Sequence, residues 1–532
     1  MGRVQTPTLG FVVNREKEIE NFVSTPYWAV QAFASGIDFR VRFHEKDDPQ
    51  VWKDEKGKID VLRTNDSNLA NKAYEYLNLE SQITPETVSL NNYKRRPKPP
   101  FTTDTLLQAS GSKYSWRPSN TMRIAQGLYE AGHITYMRTD STRTSASSRD
   151  KAKNFITSKW GSGFVGKGSV SGKPKSGVQD AHEAIRPTNP LFELPNGLDE
   201  SQTRLYRLIW SRFIASQMCD SEWTSMKIQA QLETFDKLLD GDTKWRVKPG
   251  WESAFEAIDR APASSPPSPE IIEGSKIKLD NKEDNPKLIE DKTKPPARYT
   301  QHGLVAFMKS EGIGRPSTYA ATIKKLLDRK YCSDMKGRLK PTEQGVLLCD
   351  EVVPFYNSQE EKISLFSSSF TSEMESDLDQ IETGQQNAAT VWDGFVNSFR
   401  QLHEAAISKK KETPTKRQLD YYMRLAELVS KSELEEITGS EEPHKMDGER
   451  IGEVIDKLKK ATEDIAIPAS AKQISYIQSL AESLDQDESS VCALVGVSNF
   501  GVLTGGKSGT ASDLIGQLKN RTDSIPRPPS PK

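Results

Sequence analysis

Cysteine is scarce in this 532-residue chain, and its four copies are far apart. They are Cys219, Cys332, Cys349 and Cys492, and no Cys-x-x-Cys pair occurs. Zinc ribbons need close pairs of cysteine thiolates, and small disulfide-rich domains need an even number of closely spaced cysteines. The sequence therefore predicts neither a zinc site nor a disulfide framework.

Long apolar runs and an excess of one charge are also missing. Only 35% of the residues are hydrophobic, and no stretch approaches the ~20 apolar residues of a membrane helix. Because no signal peptide is visible either, we expect no membrane contact and an intracellular location. Lys and Arg total 73 against 74 Asp and Glu, a net charge of −1. Any nucleic-acid surface must therefore arise from local segregation of charge.

The most informative feature that is present is the run Gly-His-Ile-Thr-Tyr-Met-Arg-Thr-Asp-Ser at residues 132–141. It sets the Tyr136 hydroxyl two residues before Arg138. A phenol with its usual pKa near ~10 is a poor nucleophile, but a guanidinium favours the phenolate and can hold a phosphate oxygen. That pairing suits attack on a phosphodiester. Taken alone, the run is more typical of a strand-to-loop edge with Tyr136 packed and Arg138 solvated.

The run closely resembles the active-site motif of type IA DNA topoisomerases, and other blocks of the sequence agree with that family in the order it requires. Met137 resembles the topoisomerase I branch, because the topoisomerase III branch usually has proline there. The supporting blocks are residues 2–9, 100–106, 121–130, 181–188, 312–320 and 370–381.

The resemblance implies the chemistry of this site. Type IA enzymes cut one DNA strand by tyrosine attack, hold a 5′-phosphotyrosine link while another strand passes, and then reseal the break without ATP. By resemblance, Tyr136 is the nucleophile and Arg138 stabilises the charge that develops on the phosphate. His182, in the Ala-His-Glu-Ala-Ile-Arg block, is a strand-positioning or proton-network residue. The alternative for His182 is a packed structural histidine.

The resemblance also implies residues that bind DNA. Arg3 and Gln5 match family residues that contact the single strand, and Arg186 closes the block that contains His182. Arg315, Ser317 and Thr318 lie in a loop whose guanidinium and hydroxyls suit backbone phosphates. For the two hydroxyls, a role at the start of a helix fits equally well.

The periodicity of the chain predicts a mainly α protein with a β-rich arch, an α+β multidomain architecture. Helical and strand-like stretches alternate in an order typical of nested insertion. The resemblance implies a toroidal core whose hole is wide enough for duplex DNA. We expect a helical base domain from residues 1–26 and 298–405, the β-rich arch from 27–95 and 222–297, and a helical domain with the tyrosine at 96–221.

An internal repeat follows the region of resemblance. Gln-Leu-Asp-Tyr at residues 418–421 recurs as Gln-Ile-Ser-Tyr at 473–476, and Leu-Lys at 458–459 recurs at 518–519. Sequence repeats of this length predict small structural modules. We therefore expect two helical modules within residues 412–525.

The end of the chain carries two further expectations. Residues 526–532, rich in proline, predict a disordered tail. Residues 501–508 fit the phosphate-loop pattern G-x-x-x-x-G-K-[ST], but few residues follow and the first repeat has a different loop there. We interpret them as a glycine-rich turn and expect no ATP.

The family's N-terminal Toprim domain, which carries its Mg²⁺ ligands, has no counterpart in this sequence. Mg²⁺ is expected from the family, but we predict no metal ligand here and no zinc. We expect either a fragment or a chain that pairs with a separate Toprim chain, associated with single-stranded and negatively supercoiled DNA in a bacterial cytoplasm or nucleoid or in an organelle nucleoid.

Three hypotheses follow. The first is a type IA DNA topoisomerase that relaxes negatively supercoiled DNA. The second is a cleavage-inactive clamp or fragment that binds single-stranded DNA, which the missing acidic residues favour. The third, a nucleotide-driven motor, depends on Gly506, Lys507 and Ser508.

Overall fold

The computed structural model describes residues 2–168, 182–256, 258, 266, 271–358, 363–412, 414–462, 469, 471–484, 486–505 and 509–523. The predicted tail and the Gly506–Lys507–Ser508 tripeptide lie outside them. The chain divides into two units, Met1–Val396 and Asn397–Lys532.

The first unit begins with a helix, continues through strands and helices, and returns to helices, the last of which, α11 (Ala388–Glu412), continues into the second unit. Its elements are α1 (Gln5–Glu20), β1 (Pro26–Ala34), β2 (Ile37–Val41), α2 (Ser67–Glu80), β3 (Gln82–Arg95), α3 (Thr103–Tyr114), α4 (Pro118–Glu130), α5 (Ala146–Trp160), α6 (Glu200–Ala215), β4 (Ser221–Gln231), β5 (Leu239–Lys248), β6 (Ile277–Lys278), β7 (Lys287–Lys292), α7 (Gln301–Ser310), α8 (Tyr319–Asp328), β8 (Cys332–Met335), β9 (Arg338–Pro341), α9 (Glu343–Leu347), β10 (Asn357–Ser358), β11 (Ile363–Ser364), α10 (Ser368–Glu382) and α11 (Ala388–Glu412).

A seven-stranded antiparallel sheet forms the β region, with strand order β6-β3-β4-β5-β2-β1-β7. Its strands come from two stretches of the chain, as the strand-like patterns predict. One face packs with α2 around a core that includes Phe39 and Leu77. A Cβ on Gly241 would lie 2.5 Å from the Phe39 ring, so glycine is required where β5 crosses that ring.

Helices α3, α4, α5 and α6 share a second core. Helix α6 starts with a capping box between Asp199 and Gln202, which satisfies the free N–H groups of its first turn. It buries Leu205, Ile209 and Phe213 against the other helices. This core holds the segment that carries Tyr136.

A third core joins the N-terminal helix to residues more than 280 positions later. Leu9 and Val12 of α1 pack with Leu304 of α7. The carboxylate of Glu16 accepts two hydrogen bonds from Arg298, each 2.7 Å long. The returning helices therefore complete a core that α1 begins.

Helix α3 also packs closely on α7. A Cβ on Gly111 would lie 2.5 Å from the His302 side chain, so any larger residue would separate the two helices. Burial lowers the pKa of His302, and the nearby charge of Arg338 lowers it further.

The second unit contains α12 (Lys416–Ala426), α13 (Lys431–Thr438), α14 (Gly448–Ala461), α15 (Ala471–Ser483), α16 (Glu488–Ala493) and α17 (Thr510–Asp523). These helices form two separate cores, one around Leu425, Val454 and Leu458 and one around Leu514 and Leu518.

The prediction of a mainly helical protein with a separate β region is confirmed. The proposed domain boundaries stay predictions, and the toroid belongs to the proposals below. No helix among the described residues has the length and apolar character needed to cross a bilayer.

Candidate active site around Tyr136

Tyr136 lies on an irregular strap, residues 132–141, which follows α4. One side of the strap is held through Thr135. Its N–H donates to the Arg186 carbonyl at 2.9 Å, and its hydroxyl donates to the Ala184 carbonyl at 2.6 Å. Backbone polar groups that would otherwise be unpaired are thus satisfied next to the tyrosine.

The other side of the strap is held by Thr103, the first residue of α3. This fully buried hydroxyl donates to the Met137 carbonyl at 2.7 Å and accepts from the Thr139 N–H at 2.9 Å. One side chain therefore fixes the backbone on both sides of Arg138. The sequence block around Thr103 was recognised, but this role was not, because the contact spans more than 30 residues.

The Tyr136 ring is half-buried between two other rings. Its centroid lies 5.3 Å from that of Tyr129, in an edge-to-face arrangement, and 5.5 Å from that of His182. Such aromatic contacts fix the direction of a ring. Within the described residues, the Tyr136 hydroxyl makes no hydrogen bond to the protein.

Arg138 is exposed on the same strap. Its guanidinium makes no hydrogen bond or ion pair with any residue that the structure describes. A cation that the protein does not neutralise can bind an external phosphate at no cost in broken ion pairs. This availability fits the predicted role beside a reacting phosphate.

His182 and Arg186 belong to the segment that holds the strap, but they differ in exposure. His182 is exposed and its ring faces that of Tyr136. Arg186 is only 8% exposed, and its guanidinium pairs with Glu183 and donates to the Pro187 carbonyl at 2.9 Å. For Arg186, DNA contact stays a prediction, because Glu183 would have to release it first.

A second group of predicted residues meets at a buried carboxylate, Glu375 of α10. Arg3 approaches one of its oxygens at 3.2 Å and Arg315 approaches the other at 3.6 Å. Arg315 also pairs with Asp379 at 2.7 Å. We call Arg3, Arg315, Glu375 and Asp379 the base cluster.

The base cluster joins segments that lie far apart in the sequence. Glu375 is 5% exposed, and the half-exposed Asp379 pairs with Arg315. The pairing was missed because Arg3 is separated from Glu375 by 372 positions. Both residues lie in recognised blocks, which was the available signal.

The charges of the base cluster and of the strap act on one phenol, Tyr319 at the start of α8. Burial raises the pKa of Tyr319 above its usual range. The carboxylates of Asp104, Asp140 and Glu375 raise it further, while Arg315 lowers it. Because Asp140 belongs to the strap, the strap and the base cluster lie within electrostatic reach of the same side chain.

The remaining predicted residues lie near the base cluster. Gln5, in the first turn of α1, accepts a hydrogen bond from Arg329 at 3.0 Å. Ser317 is exposed. The Thr318 hydroxyl accepts from the Arg315 N–H at 2.8 Å in the turn before α8. Thr318 is the residue that precedes this helix, but its side chain makes no capping hydrogen bond to the first turn.

The acidic and imidazole groups that the structure describes do not form a metal-binding set. Among the described residues, no group of three or more His, Cys, Asp or Glu side chains is arranged to hold a metal ion. The base cluster has two carboxylates, and both are neutralised by arginine. These residues do not fit a Mg²⁺ site, and we derive no step through the ion.

The site thus combines a tyrosine on a strap beside the unpaired Arg138 with a separate set of arginines that are paired with carboxylates. Residues 1–393 match the DNA topoisomerase family, and the chain belongs to that family, in its bacterial type IA branch. It is 35% identical over 419 residues to DNA topoisomerase 1 of Thermotoga maritima, a match that covers 76% of this chain and 60% of the relative.

A solved structure agrees with this assignment. The full-length topoisomerase I from Thermotoga maritima matches with a TM-score of 0.62 and 34% identity, over 75% of this chain and 62% of that one. The chain thus spans less than two thirds of the length of these relatives. The modules after α11 lie outside the family match.

Proposed function

We propose that this chain carries out the tyrosine step of a type IA DNA topoisomerase. The Tyr136 phenolic oxygen attacks a backbone phosphorus of single-stranded DNA. A bond forms between phosphorus and the tyrosine oxygen, and the bond to the 3′ oxygen breaks. The phenolic proton is lost and the 3′ oxygen gains one, which leaves a 5′-phosphotyrosine and a 3′ hydroxyl. Resealing reverses these changes, and no ATP is consumed.

One observation carries this proposal: the strap presents Tyr136 and the unpaired Arg138 together. Charge builds on the non-bridging phosphate oxygens during attack, and a fixed cation that is already in place stabilises it. The two threonines that hold the strap limit how far the phenol can drift from the phosphate. His182, against the same ring, positions the tyrosine or moves its proton.

Strand binding is assigned to Arg3, Gln5, Arg186, Arg315, Ser317 and Thr318. Arg3 and Arg315 share Glu375, so an incoming phosphate would compete with a carboxylate for them. Exchange of one anion for another keeps the cations neutralised at every stage. Contacts of this kind hold the backbone and read no base sequence.

Strand passage through a toroidal opening, with relaxation of negatively supercoiled DNA, is proposed from the family. So is Mg²⁺, which would assist the phosphoryl transfer electrostatically. Since the described residues offer no site for it, its ligands would come from a Toprim domain, which is also proposed from the family. An association with DNA inside the cell follows from the same family.

The test is covalent capture of single-stranded DNA. The chain is mixed with a labelled oligonucleotide, Mg²⁺ and the Toprim domain of a type IA relative, and then denatured. We expect a labelled adduct that is abolished by Tyr136→Phe and kept by Tyr129→Phe, which alters the neighbouring ring. An adduct that persists in Tyr136→Phe would reject the assignment.

A second candidate function, single-strand binding without cleavage, is supported by the lack of a metal cluster among the described residues. It predicts oligonucleotide binding and no adduct even with the Toprim domain present. The same experiment therefore separates the two candidates. The third hypothesis, a nucleotide-driven motor, rests on Gly506, Lys507 and Ser508, which lie outside the described residues.

A further inference from the structure

Each of the two C-terminal modules has its own core, and the same surface contact between a tyrosine and a lysine occurs in both. In the first module the Lys459 ammonium lies 5.7 Å from the centre of the Tyr421 ring. In the second, Lys519 lies 5.4 Å from the centre of the Tyr476 ring. Tyr421 and Tyr476 hold the same place in the repeat, as do the two lysines. We call these the two Tyr–Lys pairs.

Core packing does not account for these pairs. Leu458 and Leu518, each next to a paired lysine, are fully buried and explain why the leucine repeats. The paired tyrosines are 36% and 43% exposed, and both lysines are exposed. An exposed aromatic ring that recurs in both modules is therefore not required to fill either core.

The acid that pairs with Lys459 is not repeated at the matching sequence position of the second module. Lys459 also pairs with Asp456 at 2.8 Å, but the second module has Gly516 at the position of Asp456. The feature common to both modules is thus an aromatic face with an ammonium at its edge. It spans the two packed helices of each module, α12 with α14 and α15 with α17.

From this geometry we propose that each Tyr–Lys pair binds one nucleotide of a single-stranded nucleic acid. A base stacks on the tyrosine ring, and the lysine contacts the adjoining phosphate. Stacking of this kind accepts any base, because every base has an aromatic face. Two equal sites in tandem suit a ligand that repeats the same groups along its length. Because both modules belong to one chain, binding at one site keeps the other site near the strand.

This inference does not depend on cleavage at Tyr136, since the pairs lie in a different unit of the chain. The modules would hold a strand whether or not the first unit cuts it. Its failure would leave the proposed cleavage intact, and loss of cleavage would leave the pairs untouched.

Photocrosslinking tests the proposal on the full chain. An oligonucleotide containing 5-iodouracil is irradiated with the protein, and mass spectrometry maps the crosslinked peptides. We expect crosslinks at Tyr421 and Tyr476 that disappear in the corresponding tyrosine-to-alanine variants. The double variant should bind the oligonucleotide about 30-fold more weakly or worse, because each of the two lost stacking contacts costs at least about fivefold.

The lysines are tested by the salt dependence of oligonucleotide binding. Lys459→Gln with Lys519→Gln should reduce the slope of log affinity against log salt by about 1.4, since each phosphate contact to a single strand contributes about 0.7. Lys445→Gln is the matched control, because it removes an exposed charge from the first module outside the pair. It should lower the slope by much less.

Three results would overturn the proposal. One is crosslinking elsewhere in the chain with none at either tyrosine. Another is a lower melting temperature of the double tyrosine variant with unchanged oligonucleotide affinity. That result would mean that the pairs only stabilise the packing of the helices. The third is concentration-dependent self-association that the double variant abolishes while oligonucleotide affinity is unchanged, which would make the pairs a protein-binding surface.

Discussion

The strap and the base cluster differ in whether their arginines are paired with carboxylates. Arg138 on the strap is exposed and has no partner among the described residues. In the base cluster, Arg3 and Arg315 share Glu375, and Arg315 also pairs with Asp379. An unpaired cation is ready to stabilise charge that appears only during a reaction. A paired cation holds segments together and can exchange its carboxylate for a phosphate. The comparison suggests chemistry on the strap and strand holding at the cluster.

Removing the unpaired cation should have the largest effect. We expect Arg138→Ala to slow adduct formation by roughly 10²- to 10³-fold, the usual cost of losing a group that stabilises transition-state charge. Oligonucleotide affinity should change much less. Single-turnover cleavage and fluorescence anisotropy measure the two quantities. Lys151→Ala, which removes an exposed charge from α5, is the control. Equal losses in rate and affinity would place Arg138 with the strand-holding cations.

The second prediction concerns the support of the strap. Thr103→Val keeps the shape of the side chain but leaves the Met137 carbonyl and the Thr139 N–H without this partner. We expect a loss of about 1–3 kcal/mol in the free energy of unfolding. Cleavage should slow by roughly tenfold, since small displacements of reacting groups are costly.

Thr103→Ser is the matched variant, because it restores the hydroxyl. It should recover most of the cleavage rate, which a merely space-filling role would not predict. If the valine variant cleaves at the normal rate once folded, the strap does not depend on Thr103.

The third and smallest prediction uses a paired cation outside the cluster. Arg298 holds the Glu16 pKa below its ordinary value, mainly through hydrogen bonds. A carboxyl whose folded pKa is lowered stabilises the fold when ionised. Its contribution is therefore complete above a pH of about 4.5, its unfolded pKa. It is lost as the pH falls through the lower folded value.

We expect Glu16→Gln to reduce the free energy of unfolding by about 1–2 kcal/mol at neutral pH, with a shrinking difference from the parent as the pH falls below about 4.5. Denaturant titrations across this range measure it. Glu18→Gln, which removes an exposed surface pair with Arg15, should cost much less. A difference that persists at low pH would mean that the ion pair is not its source.

Short motifs, the internal repeat and the periodicity of the sequence were the features from which structure could be predicted. The run around Tyr136 predicts roles for the tyrosine and Arg138, and these roles stay predictions. The repeat of Gln-x-x-Tyr predicts two modules, and the buried residues of the two repeats lie in separate cores. The mixture of helices and a separate sheet followed from periodicity.

Contacts between segments that are distant in the sequence could not be predicted. The contacts of Thr103 with the strap and of Arg3 with Glu375 depend on how distant segments meet, and residue spacing carries no information about that. A helical pattern shows which residues of α10 share a face but not what covers that face. The Tyr–Lys pairs could not be predicted because each pair forms only where two helices pack together.

The central claim is that the Tyr136 oxygen becomes bonded to a DNA phosphorus. The most direct measurement is mass spectrometry of the denatured adduct formed with an oligonucleotide, Mg²⁺ and a supplied Toprim domain. The account predicts a peptide containing Tyr136, heavier by the 5′-phosphorylated 3′ portion of the cleaved strand. The same mass on a peptide carrying any other tyrosine, with residues 132–141 recovered unmodified, would contradict it.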